Sequence, residues 1–126
     1  MALPQYGLGN EFMMFAAQQG SSNYGVMFMA EKMGVGPEPL TGSLDFLKRV
    51  RPLWAPGDDE GARWGHIGSP SGMIFDTTQF RIPPSGFGGG AAAVAGDYIL
   101  VFRFNAKSQD DLRAMFDSIR TVAKMQ

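Results

Sequence analysis

The sequence predicts one α+β domain over residues 1–126, a compact antiparallel or mixed sheet packed against a C-terminal amphipathic helix and one or two shorter helices. Three observations carry this. A helix-periodic apolar stripe closes the chain, a strand-periodic run stands directly before it, and the remaining patterns mix helix and strand without regular βαβ alternation.

The closing element is the best specified. Ser108 is placed to cap a helix over 108–125, with Asp111 three residues on as the second half of a capping box. Leu112, Met115, Phe116, Ile119, Val122 and Ala123 recur at three- and four-residue intervals, which draws one apolar stripe. Asp110 and Asp111 at its start and Arg120 and Lys124 at its end suit the helix dipole. Before it, Asp97–Asn105 alternates Tyr98, Leu100, Phe102 and Phe104 against Ile99, Val101 and Arg103. Both sets are largely apolar, so this strand belongs near the middle of a sheet.

Gly72–Ile82 is a second strand, with Ile74, Asp76, Thr78, Phe80 and Ile82 on one face and Met73, Phe75, Thr77, Gln79 and Arg81 on the other, stopped by Pro83-Pro84. Arg63–Ile67 is its short partner across the turn signal GSPSG. Upstream, Ser43 caps a short helix carrying Leu44, Phe46, Leu47 and Val50, and Pro52 is expected to end it near Arg51. Tyr24–Met33 reads as a strand, Asn10–Gln19 as a short helix capped by Asn10, and Ala55–Gly61 as an acidic loop. The expected order is therefore α-β-α-β-β-β-α.

Composition narrows the function classes. At 44% hydrophobic and 18% charged residues the chain is globular, and a net charge of −1 argues against binding a polyanion such as nucleic acid. The absence of cysteine removes disulfides, thiolate metal sites and a thiol nucleophile, and it fits a reducing compartment. No apolar run approaches the ~18 residues a membrane span needs, and the N-terminus lacks a signal-peptide pattern. A cytoplasmic location is the expectation.

No complete catalytic constellation is visible. Ser85–Gly96, SGFGGGAAAVAG, contains a G-x-G-x-x-A spacing, but a phosphate loop follows a strand and opens a helix, whereas here prolines precede it and a strand follows. It reads as a flexible or tightly packed connector. His66, the only histidine, would need partners to act as a base or a ligand, and no metal-ligand spacing surrounds it. No metal or cofactor site is expected from these patterns. Asp76 and Arg103 suit a cross-strand salt bridge on adjacent strands. Lys48, Arg49 and Arg51 form a basic cluster that reads as a solvated helix face, with Asp58, Asp59 and Glu60 close enough to neutralise it.

The N-terminal third is unusual in another way: six of the nine methionines fall within the first 33 residues, interspersed with Phe12, Phe15 and Phe28. So much adaptable apolar side chain on short elements exceeds what a small fold buries locally. The leading expectation is thus a non-catalytic subunit or assembly module. It would associate with itself or a larger complex through Met13, Met14, Phe15, Met27, Phe28 and Met29. The alternative is a small enzyme or ligand-binding protein with a pocket near His66, Trp64, Asp76 and Arg103.

Overall fold

Period-two apolar patterning dominates the chain, and the structure, a computed structural model, pairs those runs into one antiparallel sheet. It describes residues 11–18, 25–56, 63–68, 72–82 and 86–122. Six strands, β1 (Glu11–Gln18), β2 (Gly25–Lys32), β3 (Arg63–Gly68), β4 (Ile74–Ile82), β5 (Gly86–Ala95) and β6 (Tyr98–Ala106), lie in the order β1-β2-β6-β5-β4-β3. All neighbours are antiparallel. Two helices, α1 (Ser43–Trp54) and α2 (Gln109–Val122), complete an α+β fold.

The helices take opposite faces. Met27, Met29, Phe80, Ala92, Ile99 and Val101 form one core with Phe46, Leu47, Val50 and Trp54 of α1. Ile67, Phe75, Ala91, Ala93, Phe104 and Ala106 form the other with Leu112, Phe116 and Ile119 of α2. The alternation expected for the Tyr98 run is what divides β6 between these two cores. Ser108 caps α2 as expected, its Oγ accepting from the Asp111 N–H at 3.1 Å.

Two assignments are corrected in kind. The segment expected to be a helix from Asn10 is strand β1, in register with β2 from Met13↔Ala30 to Gln18↔Gly25. Its apolar run suits a ladder as well as a short helix, and pairing along β2 satisfies the backbone groups on the inner edge of the eight-residue strand. The glycine-rich segment expected to be a connector is β5, a strand in the middle of the sheet. Glycine weakens a strand, yet it belongs where another group must approach the backbone closely. A Cβ on Gly90 would stand 2.6 Å from Trp54 Cζ3 on one face, and one on Gly89 would stand 2.6 Å from Phe116 Cζ on the other. The helices are pressed onto β5 from its two faces where it carries glycine, α2 at Gly89 and α1 at Gly90. β5 then turns into β6 through Gly96-Asp97, with Gly96 at φ +62°, the first-position glycine that a two-residue hairpin favours.

α1 differs in detail from expectation. Its N-cap is Gly42, not Ser43, whose hydroxyl donates instead to the Asp76 carboxylate on β4. Asp45 supplies the helix-start bond by reaching back to the Thr41 N–H at 3.1 Å. Pro52 does not end the helix at Arg51: it lies exposed in the last turn, and the helix runs on to Trp54, whose ring is buried against the sheet. Arg51 likewise leaves the expected solvated face; it is buried, whereas Lys48 is exposed. Arg49 clasps Asp45 at 3.0 Å and the Glu38 and Pro39 carbonyls, tying the loop before α1 to the helix. The acidic loop residues Asp58, Asp59 and Glu60, the Ser69–Ser71 part of the turn signal and Pro83-Pro84 lie outside the described residues.

Candidate functional site

The residues nominated for chemistry do not converge on one point. Antiparallel register sets His66 opposite Asp76 and Trp64 opposite Thr78, on the outermost pair of strands. His66 and Trp64 are exposed there. Arg103 is not on a strand adjacent to Asp76, as the cross-strand pairing required. β5 runs between them, with Asp76 opposite Ala92 and Gly90 opposite Arg103. Asp76 instead accepts from Ser43, and the Arg103 guanidinium lies 5.5 Å from the Trp54 ring centre and 5.9 Å from that of Phe80. That geometry is a cation held over aromatic faces, a structural use of the charge.

Around Arg103 the α1 face holds more polarity than the sequence announced. Glu31 and Thr78 are fully buried, and Arg51 nearly so. Thr78 Oγ1 and Asn105 Oδ1 are buried without a hydrogen-bond partner among the described residues. Period-two alternation foretells which face each of these occupies, but not that α1 and its leading loop would seal that face.

The nominated interface residues divide. Met27 and Met29 are buried in the α1-side core, so their apolar area is spent inside this chain. Phe28, on the opposite face, is half-buried with its ring 5.0 Å from that of Phe102. Met13, Met14 and Phe15 belong to β1, and their side chains lie outside what the structure describes. The backbone of β1 is informative nonetheless. β1 is the terminal strand of the sheet, bonded to β2 on one side and to no described strand on the other.

A cavity of about 300 Å³ opens on the α2 side, at the other end of the sheet. Arg63 and Gly65 of β3 and their register partners Gln79 and Thr77 of β4 form its floor. Gln109, Arg113, Phe116 and Asp117, spaced along one side of α2, form its roof, with Ile67 and His66 also on the lining. Gly65 keeps the floor open, since a Cβ there would meet Thr77 Oγ1 at 3.3 Å. Of the residues nominated from sequence only His66 belongs to this cavity. Thr77 and Gln79 were legible as polar positions on a strand face, but the overhang of α2 that turns them into a lining was not.

Among the described residues no group of three His, Cys, Asp or Glu side chains is placed to hold a metal ion. None of the described helices is long and apolar enough to cross a membrane. No family model, curated protein or solved structure matches the chain.

Proposed function

We propose that this chain is a non-catalytic assembly module that pairs with a second copy of itself along the outer edge of β1. The observation that supports this reading is the character of that edge. From Met13 to Gln18 it carries no charge and no proline, and no described strand covers it. Sheets normally guard such an edge with lysine, proline, a bulge or a very short strand, because its unpaired N–H and C=O groups template another strand. Here the only irregularity falls between Glu11 and Met13, at the strand's beginning. The opposite edge strand differs: β3 is six residues long against eight for β1, and it begins with the charged Arg63. Two β1 strands meeting antiparallel across a two-fold axis would join two sheets into one, an isologous contact that closes on itself. This keeps the apolar N-terminal region as the contact while assigning Met27 and Met29 to the core. The catalytic reading of His66, Asp76 and Arg103 draws no support from the strand separating Asp76 from Arg103.

Light scattering after size exclusion tests the proposal. The expected mass is twice the 13.7 kDa of the chain, falling to the monomer in a Phe15→Lys/Ala16→Lys variant. Amide exchange supplies a readout that does not depend on the variant folding: residues 11–18 should gain protection as concentration rises. A monomer at every concentration, with exchange in 11–18 unchanged, would overturn it.

A further inference from the structure

The cavity under α2 is unrelated to the β1 edge and has a chemistry of its own. Its lining includes two arginines from different elements, Arg63 of β3 and Arg113 of α2, around a volume of about 300 Å³. Among the described residues neither arginine is paired with a carboxylate. Asp117, the one carboxylate on the described lining, already has a partner of its own. Gln79, Gln109 and the buried Thr77 hydroxyl add neutral hydrogen-bonding groups, and Ile67 and Phe116 add an apolar flank.

We infer that this cavity binds a small oxyanion, a carboxylate or phosphate group carried on a compact organic molecule. Guanidinium forks match the planar carboxylate and the phosphate edge with paired hydrogen bonds, and neutral amide and hydroxyl groups fix orientation. The volume sits at the lower end for small-molecule sites, which limits the ligand to a metabolite smaller than a dinucleotide. Placement agrees with this role. α2 packs mainly on β6 and β5, so the sheet continues past it, and β3 and β4 meet the overhanging helix across a gap. That gap is lined by polar residues where the rest of the α2 face is apolar. Arg63 and Arg113 are exposed, so removing either leaves the apolar cores intact.

The experiment is a titration of the ¹⁵N-labelled protein with inorganic phosphate, acetate and malonate, each at constant ionic strength made up with chloride. The expected result is a saturable shift of the Gly65, Thr77 and Arg113 amides by at least one of the three probes. Arg63→Gln and Arg113→Gln should each weaken that binding at least tenfold, while Lys48→Gln on the opposite helix leaves it unchanged. The phosphate arm against the two carboxylate arms identifies which oxyanion the site prefers. Shifts that fail to saturate, that appear away from the cavity, or that survive in both arginine variants would overturn the inference.

Discussion

Gly90→Ala tests the account of β5 most directly. The added methyl would begin 2.6 Å from Trp54 Cζ3, with Leu47 Cδ2 at 3.4 Å behind it, so Trp54 must retreat by most of an ångström to reach ordinary contact. It has little room. Its ring lies edge-on to Phe46 at 6.2 Å, tilted against Phe80 at 6.1 Å, and 5.5 Å from the Arg103 guanidinium. Overpacking a filled core costs about 1–3 kcal/mol. Removing glycine from a strand interior returns roughly 0.5–1 kcal/mol through the unfolded chain. The net expectation is a loss of about 1–2 kcal/mol, read as a lowered urea midpoint with unchanged slope. Gly68→Ala is the matched control: it is also a strand glycine, but its Cβ would meet nothing within 4 Å. That variant should be neutral or slightly stabilising. Equal effects of the two changes would refute the claim that helix approach, rather than strand propensity, dictates glycine in β5.

Four further outcomes follow from the same geometry. Phe116→Ala removes the ring packed at 5.2 Å, edge-on, against Phe104 and should cost about 3–5 kcal/mol in chemical denaturation, whereas Arg113→Ala on the exposed side should cost under about 0.5. Met29→Ala should cost about 2–5 kcal/mol because Met29 is fully buried, so a near-neutral result would return it to the surface. Gly96→Ala places a side chain at φ +62° and should cost on the order of 1 kcal/mol, with Gly96→Asn milder. For Asp45, slight burial pushes the carboxyl up, but the Thr41 backbone bond, the Arg49 charge and the side-chain bonds from Thr41 and Arg49 outweigh it and hold it below its ordinary value. A lowered folded-state value means its stabilisation is complete above the unfolded carboxylate range and is lost as pH falls through the folded value. Asp45→Asn should therefore weaken the protein at neutral pH and flatten the acid limb of its stability profile.

Much of this architecture was legible because side-chain period reports the faces of an element. The alternation in Tyr98–Phe104 separated the two cores correctly, and the Leu112, Phe116, Ile119 stripe marked the buried side of α2. The failures share a cause, which is that a neighbour decided the outcome. β5 carries little side-chain period to read, since Gly88, Gly89 and Gly90 stand where the rings of Phe80, Phe116 and Trp54 come close. The N-terminal apolar run is compatible with helix or strand until β2 offers a ladder. Trp54 lies beyond a local stop signal at Pro52, and burial of its ring against the sheet accompanies the turn that runs past that signal. For the candidate sites, Arg63 and Arg113 are fifty residues apart, and nothing local joins them before β3 and α2 are placed.

The glycines of β5 also bear on which parts of the sheet extend beyond the helices. Because Gly89 and Gly90 admit Phe116 and Trp54 so closely, both helices are centred on the same part of the sheet: α1 packs mainly on β5 and β4, and α2 mainly on β6 and β5. A six-stranded sheet is wider than the footprint of one helix per face, so each wing extends beyond its principal cover. The two wings differ in composition. From Met13 to Gln18, β1 presents an edge without charge or proline that no described strand covers, which favours another strand. β3 and β4 present Arg63, Thr77 and Gln79 beneath the overhang of α2, where polar groups lining a gap favour a polar ligand. Enlarging Gly90 should therefore act on stability and on neither wing. As α1 is displaced, the β1 edge and the α2 cavity should keep their properties, because neither contacts Trp54 directly, and Gly89→Ala should disturb the cavity through Phe116 while sparing the β1 edge. Dimer mass and oxyanion titration on these two variants separate the sites; loss of both functions in either variant, with the fold intact, would show that the wings are coupled through β5.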